Sequence, residues 1–78
     1  MLTVKILGSG CPNYRKLAEV AREAAWDANI EAEFIMVTDR EVIRRYDVLF
    51  IPALVIKEKV VCAGRIPTVA EVQAWMAD

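Results

Sequence analysis

The sequence contains no histidine, which removes the commonest general base, the usual proton switch and the most frequent metal ligand together. It has two cysteines, Cys11 and Cys62, too few for a disulfide framework and consistent with a reducing, cytoplasmic setting. Three glycines and three prolines leave no Gly- or Pro-rich linker and no low-complexity stretch. Charge of one sign is also lacking: ten Lys and Arg against eleven Asp and Glu give a net charge of -1, so no basic excess draws the chain to nucleic acid or to an anionic membrane. The longest uncharged apolar run, Val48 to Ile56, is nine residues and contains Pro52. A membrane helix needs about 18 or more. The first residues, Met1-Leu2-Thr3-Val4-Lys5-Ile6, lack the charged-then-apolar order of a signal peptide. Apolar residues are plentiful, at 56% of 78 residues, as a chain this small requires to build a core without staples. The expectation is one small soluble domain over residues 1–78.

Leu2, Val4 and Ile6 alternate with Thr3 and Lys5 and run into Gly8-Ser9-Gly10, which reads as a first strand closed by a turn. From Pro12, the residues Leu17, Val20, Ala21, Ala24 and Ala28 recur at helical steps, giving a helix to about Asn29 with Trp26 half exposed beside its stripe. Ala32 and Phe34 to Val37 read as a second strand, parallel to the first and covered on both faces. Thr38 and Glu41 stand at capping-box spacing before a short helix with Val42, Ile43 and Tyr46 on its apolar side. Ala53 to Ile56 and Val60 to Ala63 form a hairpin connected by Lys57-Glu58-Lys59; if Lys57 and Glu58 are its two turn residues, Ala53 stands opposite Cys62. Thr68 and Glu71 open a final helix that buries Val69, Val72 and Met76. The order is βαβαββα, an α/β fold with a four-stranded mixed sheet and helices on both faces.

The chemistry concentrates in Gly8-Ser9-Gly10-Cys11-Pro12-Asn13-Tyr14, where a thiol stands at the junction of strand and helix. Unpaired amides and the positive end of the helix dipole favour a thiolate there, lowering the Cys11 pKa and making the sulfur nucleophilic. Pro12 suits the first helical turn because it has no N–H to leave unpaired. Rival chemistries fit poorly. Asn13 replaces the third glycine of a dinucleotide fingerprint, Leu17 stands where a cysteine phosphatase carries arginine, and two cysteines without histidine fall short of a zinc site. No metal or other cofactor is expected.

With Ile6-Leu7-Gly8-Ser9-Gly10-Cys11-Pro12, Phe50-Ile51-Pro52-Ala53-Leu54-Val55-Ile56 and Val60-Val61 through Gly64-Arg65-Ile66-Pro67 in view, the chain resembles the thioredoxin superfamily. The similarity is to its small thioredoxin/glutaredoxin-like branch, the redox-active disulfide proteins. The resemblance implies a minimal thioredoxin fold, a cis Ile51–Pro52 bond facing the thiol, free Ile51 backbone groups for an extended substrate, and Gly64 passing close beneath that loop. Pro12 and Tyr14 would border the same site. Where dithiol members carry Cys-x-x-Cys, this chain reads Cys11-Pro12-Asn13-Tyr14, so the resolving thiol is missing. The expected activity becomes monothiol exchange, with mixed disulfides at Cys11 resolved by an outside protein or low-molecular-weight thiol, or by Cys62 if it reaches. A persulfide carried on Cys11 would use the same nucleophile. The alternative is a binding module that has lost its redox couple and keeps the Pro52 groove. Tyr14 either lids the helix start or donates its phenol to substrate or thiolate. The protein is expected to be a monomer, with a disulfide-linked dimer through Cys11 as the other form.

Overall fold

Strict alternation in the first residues builds β1 (Leu2–Leu7), whose side chains divide between two cores. The computed structural model describes residues 1–77, with β1 followed by α1 (Pro12–Asp27), β2 (Ala32–Val37), α2 (Arg40–Arg44), β3 (Ala53–Ile56), β4 (Lys59–Ala63) and α3 (Val69–Ala77). The strands form one mixed sheet in the order β2-β1-β3-β4, with β1 parallel to β2 and antiparallel to β3. This is the α/β architecture of a minimal thioredoxin fold.

Val4 and Ile6 of β1, with Leu54 and Ile56 of β3, are buried beneath α1 and α3. Leu7, Val37, Ala53 and Val55 form a smaller core on the opposite face, packed by Val42, Ile43, Tyr46 and Val48. Small residues on α1 (Ala18, Ala21, Ala24, Ala25) are all buried, and among them Leu17 is fully enclosed. Emptying such a position, as in Leu17→Ala, costs about 2–5 kcal/mol because the close-packed surroundings cannot collapse into the void. The α1 helix ends earlier than its hydrophobic pattern suggests, at Asp27 with Ala28 as C-cap. Asn29 then turns left-handed at φ 56, and Ile30 N–H donates to Ala25 O at 2.8 Å while Asn29 N–H donates to Trp26 O at 3.1 Å. This is a Schellman closure, which overrides the apolar Ala28.

Several local expectations are corrected. Asp39, not Thr38, caps α2: its Oδ1 accepts from Glu41 N–H at 2.9 Å, since a carboxylate cap also interacts favourably with the helix dipole. The β2 strand is not covered on both faces. It is a sheet edge: on one face α2, five residues long, shields only its far end and leaves Ile35 36% exposed, and on the α1 face Met36, at the open edge, is 40% exposed. Trp26 is 85% exposed rather than half exposed, because the α1 stripe turns it away from the sheet. In the hairpin, Lys57 (φ 53) and Glu58 (φ 65) are the two turn residues, both at positive φ as a type I′ turn demands, without the usual Gly or Asn. Glu58 gains an ion pair with Lys5 Nζ at 2.8 Å, and Tyr46 Oη accepts from Lys5 Nζ at 2.8 Å. Beyond the turn a bulge intervenes: Val55 pairs with Val60, but Leu54 pairs with Cys62 and Ala53 with Ala63. One extra residue in β4 therefore shifts Cys62 away from the expected partner, Ala53.

The start of α3 follows the expected capping box, with Thr68 N–H donating to Glu71 Oε1 at 3.0 Å and Glu71 N–H to Thr68 Oγ1 at 3.1 Å. Arg65 adds a two-pronged contact to the same carboxylate at 3.1 and 2.9 Å. The Arg65 guanidinium, followed by the Thr68 amide, lowers the Glu71 pKa from 4.5 to about 2. A carboxyl whose folded pKa is depressed stabilises the fold fully above its unfolded pKa and loses that contribution as pH falls through the folded value. The melting-temperature advantage of wild type over Glu71→Gln is therefore expected to be full above about pH 5 and to vanish toward pH 2. An advantage independent of pH in thermal melts would contradict this.

Candidate functional site

The antiparallel register of β1 and β3 pairs Leu7 with Ala53, so the turn after β1 and the loop before β3 meet at one end of the sheet. Gly8 anchors the turn by donating its N–H to Val37 O at 3.0 Å. A Cβ on Gly8 would collide with Cδ1 of Tyr14, so the missing side chain is what lets the Tyr14 ring lie against the strand end. Gly10 follows at φ 84, a left-handed conformation that glycine adopts without strain. The chain then enters α1, with Cys11 extended at the N-cap (φ -71, ψ 169) and Pro12 in the first turn.

Cys11 is half-buried. Its neutral thiol makes no cap hydrogen bond. The thiolate is favoured: the Tyr14 N–H is the largest influence lowering the pKa, the Ser9 hydroxyl and the Asn13 and Cys11 amides add to it, and partial burial opposes them. These are the orphan donors of a helix start, and a sulfur that accepts only weakly as a thiol becomes a strong acceptor once ionised. Cys62 has the opposite environment. It is buried beneath α1 and α3, its S–H points to Arg65 O at 3.7 Å, and burial raises its pKa. Both cysteines are free, and β3 lies between the strands that lead to them.

Across from the thiol turn, the Ile51–Pro52 peptide is cis. Pro52 is buried and its carbonyl accepts from Gly64 N–H at 2.9 Å. Gly64 itself is left-handed at φ 79, and a Cβ there would approach Phe50 Cβ to 2.8 Å, so the end of β4 runs directly under the loop. The structure thus gathers Ile51, Pro52 and Gly64 in one loop contact, and Cys11, Pro12 and Tyr14 in the neighbouring turn. Two residues with no assigned role in the sequence are prominent beside the loop: Leu49 is 88% and Phe50 66% exposed, next to Ile51 at 45%. The available signal was an uncharged apolar run lying ahead of the proline and outside any strand. No group of three or more His, Cys, Asp or Glu side chains positioned to hold a metal occurs among the described residues. No helix of the described residues is long and apolar enough to cross a membrane.

Tyr14 packs inward over the helix start against Gly8, and its phenol does not donate to the thiol. It is 4% exposed, and its Oη is enclosed with no hydrogen-bond partner among the described residues. Burial raises its pKa, so the phenol stays protonated. An enclosed hydroxyl without a partner costs about 1–3 kcal/mol of desolvation. Tyr14→Phe is expected to raise stability by about 1 kcal/mol, seen as an increase of several degrees in melting temperature. A loss of stability would reveal a hydrogen bond to that hydroxyl. In alkylation rate profiles, the Cys11 midpoint is expected below the value of about 8.5 for a free thiol, with Cys62 slower and titrating above it.

The thioredoxin domain family matches residues 2–77. A thioredoxin from Methanocaldococcus jannaschii is 32% identical over 73 residues, covering 94% of this chain and 84% of its own length. A thioredoxin from Methanothermobacter thermautotrophicus is 29% identical over 73 residues, covering 94% of this chain and 95% of its own. The family match runs through both the thiol turn and the proline loop that faces it, and the chain belongs to the thioredoxin family.

Proposed function

We propose that the protein performs thiol–disulfide exchange through Cys11 alone. Membership of the thioredoxin family supports a thioredoxin-like redox role in general. The observation that carries the narrower reading is the seat of the sulfur: Cys11 caps α1 beneath amides that favour its thiolate, and the fourth position of the turn is a buried Tyr14 instead of a second thiol. In the first step the Cys11 thiolate attacks one sulfur of a disulfide R–S–S–R′. The Cys11–S–S–R bond forms, the S–S bond of the substrate breaks, and R′S⁻ leaves with the electron pair. In the second step an outside thiolate attacks the R sulfur and returns Cys11 as thiolate. Each step exchanges one disulfide for another, so no further oxidant or reductant is consumed. On this reading Pro12, Tyr14, Ile51, Pro52 and Gly64 border the mixed disulfide, Tyr14 and Pro52 from within, and Ile51, 45% exposed, offers its backbone to an extended substrate.

The resolving thiol in this reading is external. A buried Cys62, with its pKa raised and β3 intervening, is a poor nucleophile toward Cys11. A protein or low-molecular-weight thiol fills the role, in keeping with a reducing cytoplasm. The second reading, a peptide-binding module without redox turnover, draws on the exposed Leu49-Phe50-Ile51 ridge beside the same loop.

Treatment with oxidised glutathione is expected to leave one glutathione adduct per chain, on Cys11, which added reduced thiol removes. Cys11→Ser should abolish the adduct and all exchange activity, whereas Cys62→Ser should leave both intact. A dominant Cys11–Cys62 bridge in peptide maps would overturn the monothiol mechanism, and partner capture undiminished in Cys11→Ser would favour the binding module.

A further inference from the structure

The sheet has two edges, and they are treated differently. The β4 edge is blunted by Lys59 and by the bulge between its pairs with Leu54 and Val55. Such devices twist or charge an edge so that another strand cannot add to it. The β2 edge has neither. Its six residues, Ala32-Glu33-Phe34-Ile35-Met36-Val37, include no Pro, Gly or Lys and only one charge. Leu2 N–H donates to Glu31 O at 3.2 Å and Gly8 N–H to Val37 O at 3.0 Å, which sets the odd-numbered residues facing β1. By the alternation of a strand, the N–H and C=O of Ala32, Phe34 and Met36 point outward, with no strand beyond them among the described residues.

We infer that this edge is an interface with a second copy of the chain, in which β2 pairs antiparallel with the partner's β2 about a two-fold axis at Phe34. The inference does not depend on the proposed exchange chemistry.

The strand is complementary to itself in that register. Phe34 meets Phe34 of the partner subunit and Ala32 meets Met36 of the partner subunit, so each outward-facing residue donates and accepts one backbone hydrogen bond. Aromatic cross-strand pairs of this kind stabilise a sheet. The single charge, Glu33, falls opposite Ile35 of the partner subunit, so no like charges oppose each other and no carboxylate faces its copy. A shift of one residue between the strands leaves outward groups facing inward ones; a two-fold axis at Glu33 sets that carboxylate against its own copy, one at Ile35 sets Glu31 against an Asp39 of the same sign, and one at Met36 sets Glu33 against that Asp39. The side chains agree with the backbone. Phe34 and Met36 lie on the α1 face of the strand, aligned with Val4 and Ile6. Trp26, at the end of α1, lines the same groove as Ala32 and Phe34 while remaining 85% exposed. A strand added at the edge would cover it, which accounts for a large aromatic left in solvent.

Sedimentation equilibrium of Cys11→Ser protein in reductant tests this interface with the disulfide-linked dimer excluded. The expected mass is twice the 8.8 kDa of one chain at submillimolar concentration. Met36→Lys, which charges the edge, and Ala32→Pro, which deletes an outward N–H without touching the β1 pairing, should each return the mass to that of one chain while far-UV circular dichroism stays unchanged. A single-chain mass for the parent protein overturns the inference, and leaves the edge open to an extended peptide. A double mass that survives both substitutions overturns it as well, because the contact then lies elsewhere. Adduct formation on Cys11 in the wild-type chain is a separate readout, so failure of the dimer and failure of the exchange chemistry are distinguishable.

Discussion

The pairing of Leu7 with Ala53 is the constraint on which the site depends. Because β1 and β3 run antiparallel, the exit of one strand and the entrance of the other are held a strand spacing apart, about 4.8 Å. Whatever follows Leu7 must face whatever precedes Ala53. The thiol turn follows one and Pro52 precedes the other, so two segments some forty positions apart in the chain become neighbours without any direct contact having to hold them. The buried row of Leu7, Val37, Ala53 and Val55 secures that register through α2 packing on the far face. A slip of one residue would turn every one of these side chains into the opposite core.

Local detail at that junction then sets the chemistry of each sulfur. Cys11 and Cys62 are the same residue type in the same small protein, yet their environments push them in opposite directions. One faces helix-start amides whose hydrogen bonds favour an anion, and the other is enclosed among Leu54, Val72 and Met76 where charge is penalised. Tyr14 belongs to the same division. Its ring uses the space left by Gly8, which closes the helix start against β1 and occupies the interior with an aromatic group where a second thiol would otherwise stand. With no hydrogen-bond partner for the phenol among the described residues, this packing carries a cost of burial.

How much of this was legible in the chain follows from the range of the forces involved. Strand and helix periods, the capping box at Thr68 and Glu71, and the thiol at a helix start are local and appear in the structure, although α1 stops at Asp27 and Asp39 takes the cap of α2 from Thr38. The bulge in β4 was not legible, because its signal is a mismatch between two strands rather than a residue in one of them. The exposure of β2 was missed for a similar reason: an apolar run reads as buried whether it lies in the centre of a sheet or at an edge. Leu49 and Phe50 carry no period at all, and only the tertiary structure brings Gly64 beneath Phe50.

Composition and spacing alone determined an α/β chain of βαβαββα order, a thiol made acidic by its place at the start of α1, and the absence of a partner thiol three residues on, since each is written in contiguous residues and governed by backbone geometry. Tertiary structure alone decided which sulfur stays accessible, where Tyr14 hides its hydroxyl, and which sheet edge remains open. Those outcomes depend on which surfaces of distant segments meet, and burial is a property of the assembled layers rather than of any stretch of the chain.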